Sequence, residues 1–108
     1  MYYSNHYSVS DPGPVGERFM DAYRAKYNQE PDAFGVLGYD AANVLFDAMK
    51  RAPSLEPAAI RDAIAQTRSF EAVTGTISIN ASRNADKPMV VLRIQGGSTV
   101  VAERIAPA

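Results

Sequence analysis

A chain of 108 residues, 46% of them hydrophobic and 21% charged, has room for one folded domain and not two. Its 11 basic and 12 acidic residues nearly cancel, at a formal charge of −1, so no global field draws it to nucleic acid or to an anionic membrane. It has no cysteine, which removes disulfides, thiolate metal ligands and cysteine nucleophiles together, and no run of about 18 apolar residues crosses a bilayer.

Residues 1–14 read as an extended leading segment and a loop. Tyr2, Tyr3, Tyr7 and Val9 favour extended backbone, while Asp11-Pro12-Gly13-Pro14 is a turn and a helix entrance. The first seven residues lack the charged and apolar regions of a signal peptide. A helix is predicted over about 15–28, with Val15, Phe19, Ala22, Tyr23, Lys26 and Tyr27 on one face. Pro31 stops it, because a proline disfavours helix in the residue before it.

Asp32 is a suitable N-cap for a second helix over about 33–52. Val36, Leu37, Ala41, Val44, Leu45, Ala48 and Met49 form its apolar face, and Lys50-Arg51 suits its negative end. Gly35 and Gly38 each cost such a helix about 1 kcal/mol against alanine, which implies a close neighbour, either backbone or ligand. Ala52-Pro53-Ser54 breaks the chain. A third helix over about 56–67 starts at Ser54 or Glu56, admits Pro57 in its first turn, and turns Ile60, Ala63, Ile64 and Thr67 inward.

The period then changes to that of strands, over about 76–79, 89–95 and 98–105, with Asn80 to Lys87 as a polar turn. Gly96-Gly97 supplies the positive φ angles of a tight hairpin. Three helices followed by a short antiparallel meander is an α+β listing, since the strands come too late for βαβ units. The meander is too small to cover three apolar helix faces, and the leading aromatics read as a strand lacking a neighbour. An incomplete core is the expectation.

The residues that could carry chemistry are few. His6 stands alone among histidines and reads as a loop or strand-end residue, since zinc or acid–base work needs partners beside it. Asp40 and Asp47 lie seven residues apart, about two helical turns, too far to share a proton; solvation or lysine pairing suits them better. Gly96-Gly97 follows a strand but opens no helix, so it is no phosphate loop. Asn80-Ala81-Ser82 is a glycosylation sequon of the kind that arises by chance. Tyr2, Tyr3 and Tyr7 lack interleaved basic residues and read as packing groups rather than a base-stacking platform.

The run Phe19-Met20-Asp21-Ala22-Tyr23-Arg24-Ala25-Lys26-Tyr27, then Glu30-Pro31-Asp32, then Gly38-Tyr39-Asp40-Ala41-Ala42 resembles the C-terminal region of substrate-binding proteins of branched-chain amino-acid ABC transporters. The pieces Asp47–Ala52, Pro57–Ile64, Phe70–Ile79 and the ending after Gly96-Gly97 continue the likeness over nearly the whole chain. That family runs to several hundred residues in two α/β lobes, the type I periplasmic binding fold, and about its first two thirds have no counterpart here. The resemblance implies a non-catalytic clamp that closes on a small ligand, often an amino acid, and docks on membrane permease subunits, in the periplasm or outside the cell. It implies no cofactor and no metal. By position, Phe34 resembles an aromatic cleft residue covering the ligand side chain, and Tyr39 matches a Tyr-Asp-Ala element in which packing is an equal role. His6 or Tyr7 would touch ligand if the leading strand crosses near the hinge. Two alternatives stand beside this reading: a truncated lobe that self-associates, even by swapping elements into a homo-oligomer, and the sensor domain of an amide- or amino-acid-responsive regulator. An enzyme has the least support.

Overall fold

Nine elements make up the computed structural model, which describes residues 1–108. They are β1 (Tyr2–Asn5), α1 (Gly13–Tyr27), α2 (Ala33–Arg51), α3 (Pro57–Ala65), β2 (Phe70–Ala72), β3 (Gly75–Ile79), β4 (Ala85–Asp86), β5 (Met89–Gln95) and β6 (Ser98–Ile105). Each helix stands close to where its apolar period places it. α1 begins earlier than expected, at Gly13, because Pro14 tolerates the first turn, where the missing N–H has no helical acceptor. It ends at Asn28, which takes a left-handed φ of 52°. Asp32 caps α2 as its side chain suggests, with Oδ1 accepting from the Gly35 N–H at 2.7 Å.

The strands form two separate antiparallel sheets, ordered β1-β5-β6 and β2-β3-β4. Three strands exceed the expectation. β1 does have a neighbour, since Tyr2 to Asn5 pair with Arg93 to Val90. β2 folds back on β3 from Phe70 to Ala72, and the polar turn after β3 contains the short β4. β5 and β6 are a hairpin whose Gly96 and Gly97 take φ of 60° and 79°, as a two-residue turn with the strands' twist demands. One irregularity between Val91 and Leu92 leaves Ala102 as the extra residue of β6.

The two sheets belong to different bodies. β2, β3 and β4 lie with the helices, and the core sits there: Tyr7, Met20, Val36 and Val73 in one cluster, Val44, Ala72 and Ile77 in another. β1, β5 and β6 form the second body, whose buried residues are Val90 and Leu92. Only 17 of 108 residues are buried, and the radius of gyration is 15.5 Å against about 13 Å for a compact chain of this length. The core is thus incomplete, as the helix-to-strand balance suggests. Two crossings join the bodies, residues 6–12 and residues 87–88.

Two helix faces differ from their sequence reading. On α1 the buried line is Gly16–Met20, and the wider aromatic face is open: Tyr27 is exposed and Tyr23 half-buried. On α2 the buried stripe is Val36, Asp40, Val44 and Ala48, spaced by four, with Leu37 and Leu45 at its flank. Gly38 has open space around it, and a Cβ on Gly35 would meet only Asp32 Oδ1, so neither glycine marks a close neighbour within this chain.

Candidate functional site

The region where the bodies meet is built on the two crossings and the start of α2. Along the first crossing, Tyr7 and Ser8 are buried and His6 is exposed. Ser8 shapes the turn, since its Oγ accepts from the Ser10 N–H at 3.3 Å and its carbonyl accepts from the Asp11 N–H at 3.4 Å. Arg104 of β6 then reaches across, donating from Nη2 to the Asp11 carbonyl at 2.8 Å and to Asp11 Oδ2 at 2.7 Å.

Two hollows flank this seam. One of about 150 Å³ is lined by Tyr3, Asn5, Tyr7, Ala33, Leu92 and Thr99 among others, so it takes walls from both bodies and from the start of α2. The other, of about 330 Å³, is lined by His6, Tyr7, Asp11, Thr74, Gly75 and Arg104 among others. Phe34 stands one residue beyond Ala33, in the first turn of α2, with 84% of its surface exposed. An aromatic ring held out to that degree at a helix start has no packing partner in the chain, so it does not stack on Tyr39 or Tyr27.

Of the other residues singled out, His6 and Tyr7 belong to the seam and Tyr39 does not. The Tyr39 ring lies 4.5 Å from that of Phe19 and lines an apolar groove of about 550 Å³ with Tyr23 and Tyr27. Tyr7 lines both hollows while also belonging to the helical core. Its hydroxyl is buried without a hydrogen-bond partner in the chain, and burial pushes its pKa above 10.0, opposed by the nearby Arg24. Arg24 is itself engaged, donating to both carboxylate oxygens of Glu30 at 2.6 and 2.9 Å. That hydrogen bonding holds the Glu30 carboxyl below 4.5.

Sequence reasoning missed a buried carboxylate on α2. Asp40 is not solvated and makes no hydrogen bond to a lysine: it is 3% exposed, and its carboxylate accepts from the N–H groups of Val73 and Thr74, each at 2.9 Å, and from Thr74 Oγ1 at 2.6 Å. A carboxylate can be buried when its lone pairs meet this many donors. The signal was present, because Asp40 falls midway between Val36 and Val44 on the four-residue stripe. Lys87 is close enough to feel the charge of Asp40, which raises its pKa, but desolvation dominates and lowers it from 10.5. Asp47 instead meets Arg51, whose Nε donates to Oδ2 at 2.8 Å while Nη1 and Nη2 reach the Ala63 carbonyl and Thr67 Oγ1 on and just beyond α3.

The arrangement offers apolar walls, aromatic faces and hydroxyls at a seam between two bodies. No nucleophile stands against a base, and no group of three or more His, Asp or Glu residues converges as metal ligands would.

Comparison with known proteins shows the family and the fold. A family model described as periplasmic binding protein matches residues 1–99. Among solved structures, a leucine-binding protein from Thermotoga maritima is 36% identical, with a TM-score of 0.85 over 99% of this chain and 31% of its own. A branched-chain amino-acid transporter substrate-binding protein from Streptococcus pneumoniae, solved with isoleucine, is 34% identical with a TM-score of 0.82, over 98% of this chain and 30% of its own. A solute-binding protein from R. palustris, solved with benzoate, is 24% identical and shares the fold with a TM-score of 0.82, over 99% of this chain and 30% of its own. The chain therefore spans under a third of the length of these relatives, and its three helices and antiparallel sheets are a portion of the type I periplasmic binding fold.

Proposed function

The chain belongs to the periplasmic binding protein family, and we propose that it forms the closing third of a two-lobed receptor that captures a small carboxylate, an amino acid or a related acid, for an ABC-type uptake system. The observation that carries this reading is Phe34, 84% exposed in the first turn of α2, one residue beyond Ala33, which lines a hollow with walls from both bodies. An aromatic ring offers apolar area at small entropic cost, and exposure of this degree suits a residue that awaits a ligand. His6 and Tyr7 lie along the seam and are the next positions for contact, whereas Tyr39 acts by packing α2 on α1.

Ligand chemistry follows the relatives. One is named for leucine, one was solved with isoleucine and one with benzoate, and each ligand joins a carboxylate to an apolar group. This chain supplies the apolar side of such a site. Capture is by burial and hydrogen bonding, with a shift from open to closed states, and involves no catalysis. Membrane permease subunits are the partners, and the periplasm or cell exterior is the location that the family supports.

The test is a chimera in which residues 1–108 replace the matching third of the Thermotoga maritima protein. A thermal-shift screen of amino acids, amides and aromatic carboxylates should find at least one that raises the melting temperature. A folded chimera stabilised by none of them would contradict the proposal. The open aromatic face of α1 supports a second reading, self-association of the isolated chain. Sedimentation tests that, and a monomer at high concentration would remove it.

A further inference from the structure

The two crossings between the bodies differ in length and in what holds them to the sheet body. Residues 6–12 are a seven-residue loop whose start is held by Tyr7 in the helical core, while its link to β6 is Arg104–Asp11, an ion pair whose side chains are 48% and 57% exposed. A pair that open to water is worth little and yields easily. The other crossing is Lys87-Pro88 alone. Proline fixes its own φ near −65° and confines the residue before it to extended backbone, so this short link has few soft torsions. The direction in which β5 sets out therefore depends on where the Pro88 ring rests.

That ring rests on Gly75. A Cβ built on Gly75 would lie 2.6 Å from Pro88 Cγ and 3.1 Å from Cδ, and Gly75 takes a φ of +124° that only glycine adopts with ease. One residue earlier is Thr74, whose N–H and hydroxyl both donate to Asp40, as does the N–H of Val73. Three charge-assisted hydrogen bonds in a buried setting hold the turn between β2 and β3 against α2 as one rigid piece. α2 thus carries the exposed Phe34 at its start and this anchor six residues later, under two turns along the same helix.

We propose that Asp40 is a positioning residue that fixes the angle between the helical body and the sheet body, acting through Thr74, Gly75 and Pro88. The proposal rests on the clamp reading in one respect, that the angle between bodies is what a closing cleft must change. Asp40 touches no ligand in this account. It sets the resting angle from which closure starts, and the Arg104–Asp11 pair follows that angle.

The chain's lack of cysteine makes a direct test simple. Arg61→Cys on α3 and Gln95→Cys on β5, both exposed positions, carry spin labels for a pulsed electron-resonance distance distribution in the absence of ligand. The parent chain should give one narrow distribution. Gly75→Ala should move its mean by more than about 1 Å, the retreat that ordinary carbon contact asks of the Pro88 ring. Asp40→Asn should broaden it, and Thr74→Val, which removes one donor of three, should broaden it less. Arg104→Gln should leave it unchanged. Circular dichroism establishes which variants are folded, and Thr74→Val serves where Asp40→Asn is not. A merely structural role would lower the melting temperature of folded Thr74→Val and Gly75→Ala without altering their distributions, and that result would overturn the proposal. So would a distribution that responds to Arg104→Gln alone. Because no ligand is used, failure here leaves the ligand-capture reading standing, and a chimera that binds nothing leaves this result intact.

Discussion

Phe19 and Tyr39 join α1 to α2 through rings whose centroids lie 4.5 Å apart, tilted by 43°. The pair continues through Tyr23, 5.8 Å from Phe19, to Tyr27, 4.7 Å further on, so that four aromatic rings run along one face. Tilted contacts at these separations are favourable beyond the area they bury. With Tyr39 48% exposed, Tyr39→Ala should cost about 1–2 kcal/mol of stability, and Tyr39→Phe should be close to neutral. Urea denaturation checks both, and equal losses for the two would place the contribution in the hydroxyl rather than the ring.

Phe34 should behave in the opposite way. Its ring is 84% exposed, so Phe34→Ala should alter the stability of the chain by less than about 0.5 kcal/mol. In the two-lobed chimera the same substitution should weaken ligand binding by about tenfold or more, which corresponds to about 1.4 kcal/mol. A stability loss near that of Tyr39→Ala would instead mark Phe34 as a packing residue.

Lys87 gives stability an alkaline slope. Its pKa in the folded chain lies below 10.5, so between that lowered value and 10.5 the unfolded chain binds more protons than the folded one. Stability should therefore rise with pH across this window. Tyr7 acts in the other direction above pH 10.0, where its raised pKa makes the unfolded chain lose its proton first. Melting temperatures taken from neutral pH up to about 10 should climb in the parent chain and stay flatter in Lys87→Met. An equal slope in both would assign the effect to other groups.

Glu30 governs the acid side. Its folded pKa is depressed by the hydrogen bonds from Arg24, so its contribution is present above 4.5 and is lost as pH falls through the lower folded value. Both groups are open to solvent, which keeps the effect small and sensitive to salt. Glu30→Gln should melt slightly below the parent at neutral pH and alongside it once the carboxyl is protonated. A gap that persists in acid would contradict this assignment.

Much of the fold was legible because helices announce themselves locally. The periods of α1, α2 and α3, the Asp32 cap and the Gly96-Gly97 turn are each set by residues within a few positions of one another. What escaped was non-local. β1 could not be paired from its own residues, since its partner β5 lies about 90 positions away, and β4 is two residues long inside a polar turn. Asp40 was misread for the same reason: an aspartate on a helix is ordinarily solvated, and its donors lie 33 and 34 residues on. The Phe34, His6 and Tyr7 expectations came from the family resemblance and not from the residues themselves, while the contact of Gly75 with Pro88 needed coordinates.

If these residues complete a ligand cleft, isothermal titration of the chimera with leucine and isoleucine will register it. A folded chimera should bind at least one of them at a single site, with a negative heat-capacity change from burial of the apolar side chain, and Phe34→Ala should weaken that binding at unchanged stability. A folded chimera that shows no heat with either amino acid, nor with benzoate, would contradict the account.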